Sequence, residues 1–171
     1  MFGDTARAER AALTATLVAL IGAGAWVSIP FVPVPLTLQT LFVLLSGVLL
    51  RRWGFLPPLC YLLLGALGLP VFHNGLAGVG VLLGPTGGFI AGFVVAGLVA
   101  GFAYERRERP VRAAGLVLGG LAVYLCGAGW LVFSAGTTLP AALAVGALPF
   151  ILGDALKTAA AYALGQRLEE R

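Results

Sequence analysis

Charge is what this chain has least of. Only 11% of its 171 residues are Asp, Glu, Lys or Arg, against about 25% in soluble domains, and its mean hydropathy is +1.00. Such a chain has too little polar surface for water, so it is read as an integral membrane protein. Short alternating segments are also lacking, which argues against a membrane β-barrel; the apolar runs are long and continuous, as spanning helices require. The two cysteines, Cys60 and Cys126, sit inside apolar runs. They are read as buried thiols, since neither a disulfide framework nor metal-ligand spacing is present. No small-residue cleavage site closes a short apolar core after MFGDTARAER, so the first span is expected to stay in the protein.

What charge there is falls in clusters. The net charge of +4 suggests a nucleic-acid partner, but its distribution excludes one. Cutting at charges, prolines and glycine clusters leaves six candidate helices: Ala11–Ile29, Leu36–Leu50, Trp53–Leu67, Gly88–Tyr104, Ala113–Ser134 and Ala147–Leu168. The second and third are shorter than the roughly 20 residues of a full span. Arg7 and Arg10, the turn Arg51–Arg52, the loop ERRERPVR (Glu105–Arg112) and the end QRLEER (Gln166–Arg171) alternate with uncharged connections at 30–35, 69–87 and 135–146. An even number of spans puts every cluster on one side. By the positive-inside rule that side is the cytoplasm, and both termini lie there. One helical membrane domain over 1–171 is expected.

Small residues recur at four-residue intervals. Gly88/Gly92 and Gly97/Gly101 on the fourth helix, and Gly115/Gly119 on the fifth, suit close helix packing inside the bundle. Ala11, Ala15 and Ala19 form a smooth stripe on the first helix, for internal packing or for docking another subunit.

Only Asp154 and Lys157 place charge within a span. With the sixth helix starting near Ala147 and Pro149 in its first turn, the pair lies about 10–15 Å along the axis. Each charge costs about 2.5–3.5 kcal/mol near a helix centre, and the i, i+3 spacing lets the two partly neutralise each other. A stapling ion pair is one reading. Ligand binding is favoured, because buried pairs rarely improve on apolar packing and intramembrane ionisable groups mark ligand or ion sites.

Recognisable enzyme chemistry is missing. GPTGG (Gly84–Gly88) lacks the Lys-Ser/Thr ending of a phosphate loop, and GVGVLLG (Gly78–Gly84) lacks the strand–turn–helix of a dinucleotide site. His73, the one histidine, lies in a loop and is read as structural. No cofactor is implied. The glycine-rich loop Leu69–Gly87 is read as a lid or binding loop, with Asn74 and Thr86 as polar groups and Phe72 and Phe89 as apolar walls.

The runs VPVPLTLQTLFVLLSGVLL (Val32–Leu50), GLPVFHNGLAGVGVLLGPTGGF (Gly68–Phe89) and LPFILGDALK (Leu148–Lys157) resemble, in the same order, the BioY family. These are the biotin-binding S components of energy-coupling factor (ECF) transporters. The resemblance implies a six-helix S-component bundle with biotin under the long external loop after helix three. By the Gly-Asp-x-x-Lys match, Asp154 and Lys157 would contact the ligand, Lys157 neutralising the valerate carboxylate and Asp154 accepting ureido N–H groups. Gln39 matches the family's Leu-Gln-Thr/Asn element and would join them. Some relatives carry an asparagine in mid-loop, where this chain has Leu76 with Asn74 two residues earlier. Some carry a basic residue after GGF, where this chain has Ile90.

The implied partners are biotin, a transmembrane coupling subunit, two ATPase subunits and the lipid bilayer of a bacterial or archaeal cytoplasmic membrane. Six spans without an inverted repeat make a poor alternating-access carrier by themselves. A solitary, self-associating vitamin transporter and a membrane enzyme using Asp154 as a base are the competing readings.

Overall fold

The computed structural model describes residues 2–169, with side chains from Asp4 to Leu168. Helix α1 (Phe2–Trp26) leads into a small antiparallel hairpin, β1 (Ser28–Ile29) and β2 (Leu36–Thr37), with Ser28 opposite Thr37. Pro30, Pro33 and Pro35 cannot donate helical hydrogen bonds, so the chain runs extended here. Then follow α2 (Gln39–Leu50), α3 (Leu56–Ala66), the single turn α4 (Val79–Leu83), α5 (Gly87–Tyr104), α6 (Arg109–Ala135), α7 (Leu139–Gly146) and α8 (Ile151–Glu169). Glu170 and Arg171, part of the terminal cluster, lie outside the described residues.

Four segments are long and apolar enough to cross a membrane: Asp4–Trp26, Gly87–Tyr104, Arg109–Ala135 and Leu139–Leu168. The remaining pair, α2 and α3, is bent by 115° at the Arg51–Phe55 turn. Pro57 and Pro58 fit the first turn of α3, where missing N–H groups cost nothing, but cannot continue α2. With 12 and 11 residues, these helices reach about 18 and 17 Å at 1.5 Å per residue, short of the ~30 Å hydrocarbon core. Six bundle helices are present when the pair is counted singly and α7–α8 as one.

Several expected boundaries differ: the first helix ends at Trp26 and the second starts at Gln39, with the hairpin between them, the third starts at Leu56, and the fifth expected helix, α6, starts at Arg109, inside the expected loop Glu105–Arg112. The first helix starts at Phe2 rather than Ala11, because the mixed charges of MFGDTARAER are good helix formers once outside the bilayer. The connection 69–87 holds α4, and the connection 135–146 is mostly helical, as α7. The chain then breaks at Ala147 (φ −128°, ψ −56°) before α8 begins at Ile151.

The charge clusters gather at one end of the bundle. Arg52 Nε pairs with Glu105 Oε1 at 2.5 Å, and the Arg51 guanidinium donates to the Tyr104 carbonyl. Arg10 lies 4.4 Å over the Trp53 ring, and Arg112 Nε donates to the Arg106 carbonyl at 2.6 Å. The neighbouring Arg52 guanidinium, chiefly through its hydrogen bond, holds the Glu105 carboxyl below its usual range. At the opposite end Phe31 meets Phe150 edge-on at 6.3 Å, and Trp130 Nε1 donates to the Gly84 carbonyl at 2.9 Å. Large apolar side chains such as Leu125, Phe133, Leu152 and Leu156 point outward, as a lipid-facing surface requires.

Helix α5 is the central element, and its two glycine pairs face different partners. A Cβ on Gly88 would stand 2.1 Å from Trp130 Cβ, and one on Gly92 3.0 Å from Val123 Cα, both on α6. On Gly97 it would meet the Gly54 carbonyl at 2.4 Å, and on Gly101 the Arg51 carbonyl at 2.0 Å. One half of α5 is thus pressed against α6 and the other against the α2–α3 turn. Two larger cores result, Ile21, Val43, Tyr61, Phe72, Phe93 and Val123 toward the uncharged end and Leu17, Leu44, Leu45, Tyr104 and Leu116 toward the charged end; a small third joins Ala128 and Leu131 of α6 to Ala142 of α7.

Candidate ligand-binding site

The two charges within the last span lie close to the start of α8. Asp154 falls in its first turn, shallower than expected, because the break at Ala147 detaches α7 from α8. A carboxylate there is favoured by the unpaired N–H groups and partial positive charge of a helix N-terminus.

Around the pair, three elements converge. Lys157 Nζ donates to Asp154 Oδ1 at 2.7 Å, to the Thr37 carbonyl at 2.6 Å and to Thr40 Oγ1 at 3.1 Å. All three ammonium protons are therefore engaged. Thr40 Oγ1 donates in turn to Asp154 Oδ1 at 2.8 Å, and the Tyr124 hydroxyl of α6 donates to Asp154 Oδ2 at 2.5 Å. Both charged side chains are 15% exposed. The Thr37 carbonyl is free for Lys157 because β2 ends there and α2 has only begun. A second relay adjoins: Gln39 Nε2 donates to the Tyr61 hydroxyl at 2.7 Å, and Thr37 Oγ1 donates to Gln39 Oε1 at 3.1 Å.

Both relays face a half-open cavity of about 60 Å³. Its floor and sides are apolar, with Phe89, Ile90 and Phe93 from α5, Val123 from α6 and Phe150 before α8. Gly127 makes room for the Phe89 ring, since a Cβ there would stand 2.3 Å from it.

Of the residues singled out from the sequence, Asp154, Lys157, Gln39, Thr86 and Phe89 line this cavity. Two do not. Phe72 is fully buried behind the wall, edge-on to Tyr61 at 5.4 Å and seated on Gly65, where a Cβ would strike its ring at 2.1 Å. Asn74 is exposed, at φ 55° in a left-handed turn that asparagine tolerates better than most residues. His73, read as structural, lines the cavity instead.

Thr40, Tyr61 and Tyr124 escaped the sequence reading. Their signal was weak: each is an uncharged polar group within an apolar run. Lys157 and Asp154, expected to address separate ligand groups, share one position at 2.7 Å. The stripe Ala11, Ala15 and Ala19 is exposed and lines an open groove between α1 and α3, with Leu56, Cys60 and Leu64 opposite.

A multi-helix membrane bundle, with a half-open cavity that joins apolar side chains to a few polar groups and one ion pair, is the build of a substrate-binding membrane protein. Comparison with known proteins narrows this class. The BioY family model matches residues 3–171. The chain is 42% identical to the probable biotin transporter BioY of Pyrococcus horikoshii, over 95% of this chain and 98% of that one. It is 41% identical to the biotin transporter BioY of Thermotoga maritima, over 89% and 90%. The crystal structure of the S-component for biotin from an ECF-type ABC transporter superposes with a TM-score of 0.87 at 26% identity, covering 98% of this chain and 94% of that one. The chain belongs to the BioY family, a family of multi-pass membrane transport proteins.

Proposed function

We propose that the protein binds biotin in the cavity under the 69–87 connection and delivers it across the cytoplasmic membrane as the substrate-specific subunit of an ECF transporter. The observation that carries the reading is the Asp154–Lys157 pair, which holds a charged acceptor and a charged donor 2.7 Å apart in an apolar wall. A ureido ring offers the complement, a carbonyl oxygen beside N–H groups. Lys157 turns one proton from Thr40, its longest contact at 3.1 Å, to the ureido oxygen. Asp154 Oδ2, which takes the Tyr124 proton, also accepts a ureido N–H. The pair acts as one dipolar unit on one end of the ligand, and the fused rings and methylene chain lie along Phe89, Ile90 and Phe93.

Transport then needs energy from outside this chain, supplied by a transmembrane coupling subunit and two ATPase subunits. The exposed Ala11/Ala15/Ala19 groove is the docking face proposed for the coupling subunit, because small residues let a partner helix approach its backbone. The charged end of the bundle faces the cytoplasm and the cavity end faces outward, in a bacterial or archaeal membrane; the clustering of arginines supports this orientation. The protein acts without a cofactor and without chemical change to its ligand. The test is equilibrium binding of biotin to the purified protein alone. Saturable, stoichiometric binding is expected, and its absence in folded protein refutes the assignment.

A further inference from the structure

Among the described residues, one buried side-chain nitrogen or oxygen of the cavity wall has no partner: Nδ1 of His73. The turn that carries it is held from outside the cavity. Phe72 is packed on Tyr61 of α3, and Gly75, at φ 72°, stands against Trp26 of α1. Asn74 takes the left-handed conformation between them and goes to solvent, leaving the ring at 73 on the cavity side. The ion pair belongs to α8 and is bonded to β2, α2 and α6, whereas His73 reaches the cavity lining from the turn after α3.

Buried polar atoms without partners are rare in folded proteins, and one in a ligand cavity marks a group that the ligand completes. We infer that His73 is a second polar contact of the cavity and donates a hydrogen bond to the carboxylate of the bound ligand. This rests on the biotin reading above. If Asp154 and Lys157 take the ureido head together, the carboxylate lies at the far end of a methylene chain. It then needs a donor away from the pair; of the other polar lining residues Gln39 and Tyr61 are bonded to each other, and His73 and Thr86 both come from the 69–87 connection.

Such a contact carries a pH signature. Burial lowers the pKa of the His73 imidazole, which favours the neutral ring. A carboxylate beside Nδ1 favours the charged ring and raises that pKa, so binding takes up a proton and affinity rises as pH falls. The other titratable groups on the cavity are Tyr61 of α3, Tyr124 of α6, and Asp154 and Lys157 of α8. Helix α1, which packs against the turn, carries none beyond Arg10, and α5 none along the wall. His73 is the only histidine in the chain, so a pH dependence lost with it is its own.

The experiment measures biotin and biotin carboxamide affinity for the wild type, His73→Ala and His73→Gln between about pH 8 and about pH 6, where the carboxyl stays ionised. Melting temperatures are recorded on the same samples. Wild-type affinity for biotin should rise several-fold toward pH 6 and stay flat for the carboxamide. His73→Ala should lose about tenfold for biotin at pH 6, the range of one charge-assisted hydrogen bond. It should lose less than about twofold for the carboxamide and show no pH dependence. His73→Gln, a donor that does not titrate, should recover part of the affinity without the pH dependence. Equal losses on both ligands, a flat wild-type profile, or affinity that falls on acidification overturns the inference alone. Failure of the folded wild type to bind biotin overturns the proposed function and this inference with it.

Discussion

Replacing Lys157 by methionine keeps most of its volume and removes one charge. Three hydrogen bonds disappear, and the Thr37 carbonyl loses its lysine donor. Asp154 keeps two donors, Thr40 and Tyr124, but its charge is no longer neutralised at 15% exposure. Breaking a buried pair costs about 3–5 kcal/mol. The surviving donors and partial exposure argue for a value at or just below that range, about 2–3 kcal/mol, or about 5–10 °C in melting temperature for a chain of this size. Biotin affinity should fall about 10- to 100-fold with one charge-assisted bond lost.

The decisive comparison is the double variant Asp154→Asn/Lys157→Met. It leaves no uncompensated charge, so most of the lost melting temperature should return. Biotin affinity should not return, because neither the charged donor nor the charged acceptor is present. Scanning fluorimetry and equilibrium binding on the same detergent-solubilised samples read both quantities. A double variant that binds biotin like the wild type would falsify the assignment of the pair to ligand recognition and leave it as a structural staple.

Other consequences follow from the same geometry. Gly88→Ala drives a Cβ to 2.1 Å from Trp130 and 2.5 Å from the Cys126 carbonyl; it should cost about 1–3 kcal/mol, read as a lowered melting temperature. Gly120→Ala on α6 meets nothing within 4 Å and should not lower it, so equal effects of the two would contradict the packing described. Ala15→Leu should depress biotin uptake in cells that carry the ATPase subunits while leaving binding by the purified chain intact; loss of both would make the α1–α3 groove internal packing. A cysteine at Ala77, in a background lacking Cys60 and Cys126, should react with an impermeant thiol reagent added to intact cells. Labelling only after lysis would invert the proposed orientation.

The membrane class and the sidedness of the bundle were legible without coordinates, because hydropathy and charge are sums over neighbours in the chain. Alternating clusters such as Arg51–Arg52 and Glu105–Arg112 end on the same side whenever an even number of spans separates them. The pairing of Asp154 with Lys157 was legible too, since spacing of three on one helix fixes a common face before any tertiary contact forms. What surrounds that pair was not. Thr40 and Tyr124 reach Asp154 from 114 and 30 residues away, and the Thr37 carbonyl reaches Lys157 from 120.

The short connections were hidden for a similar reason. The sequence reading assigned Phe72 and Asn74 to the cavity and read His73 as structural; a left-handed turn at Asn74, beside Phe72 packed on Tyr61 and Gly75 against Trp26, reversed that choice. The glycines of α5 declared that backbones would come close but not which ones; α6 takes Gly88 and Gly92, and the α2–α3 turn takes Gly97 and Gly101. Local sequence determined the long apolar helices and the face each charge occupies, because those depend on a few consecutive residues. Only the tertiary structure decided which faces meet, because a bilayer rewards every apolar face alike and leaves the choice of neighbour to shape and to the few polar groups that must find partners.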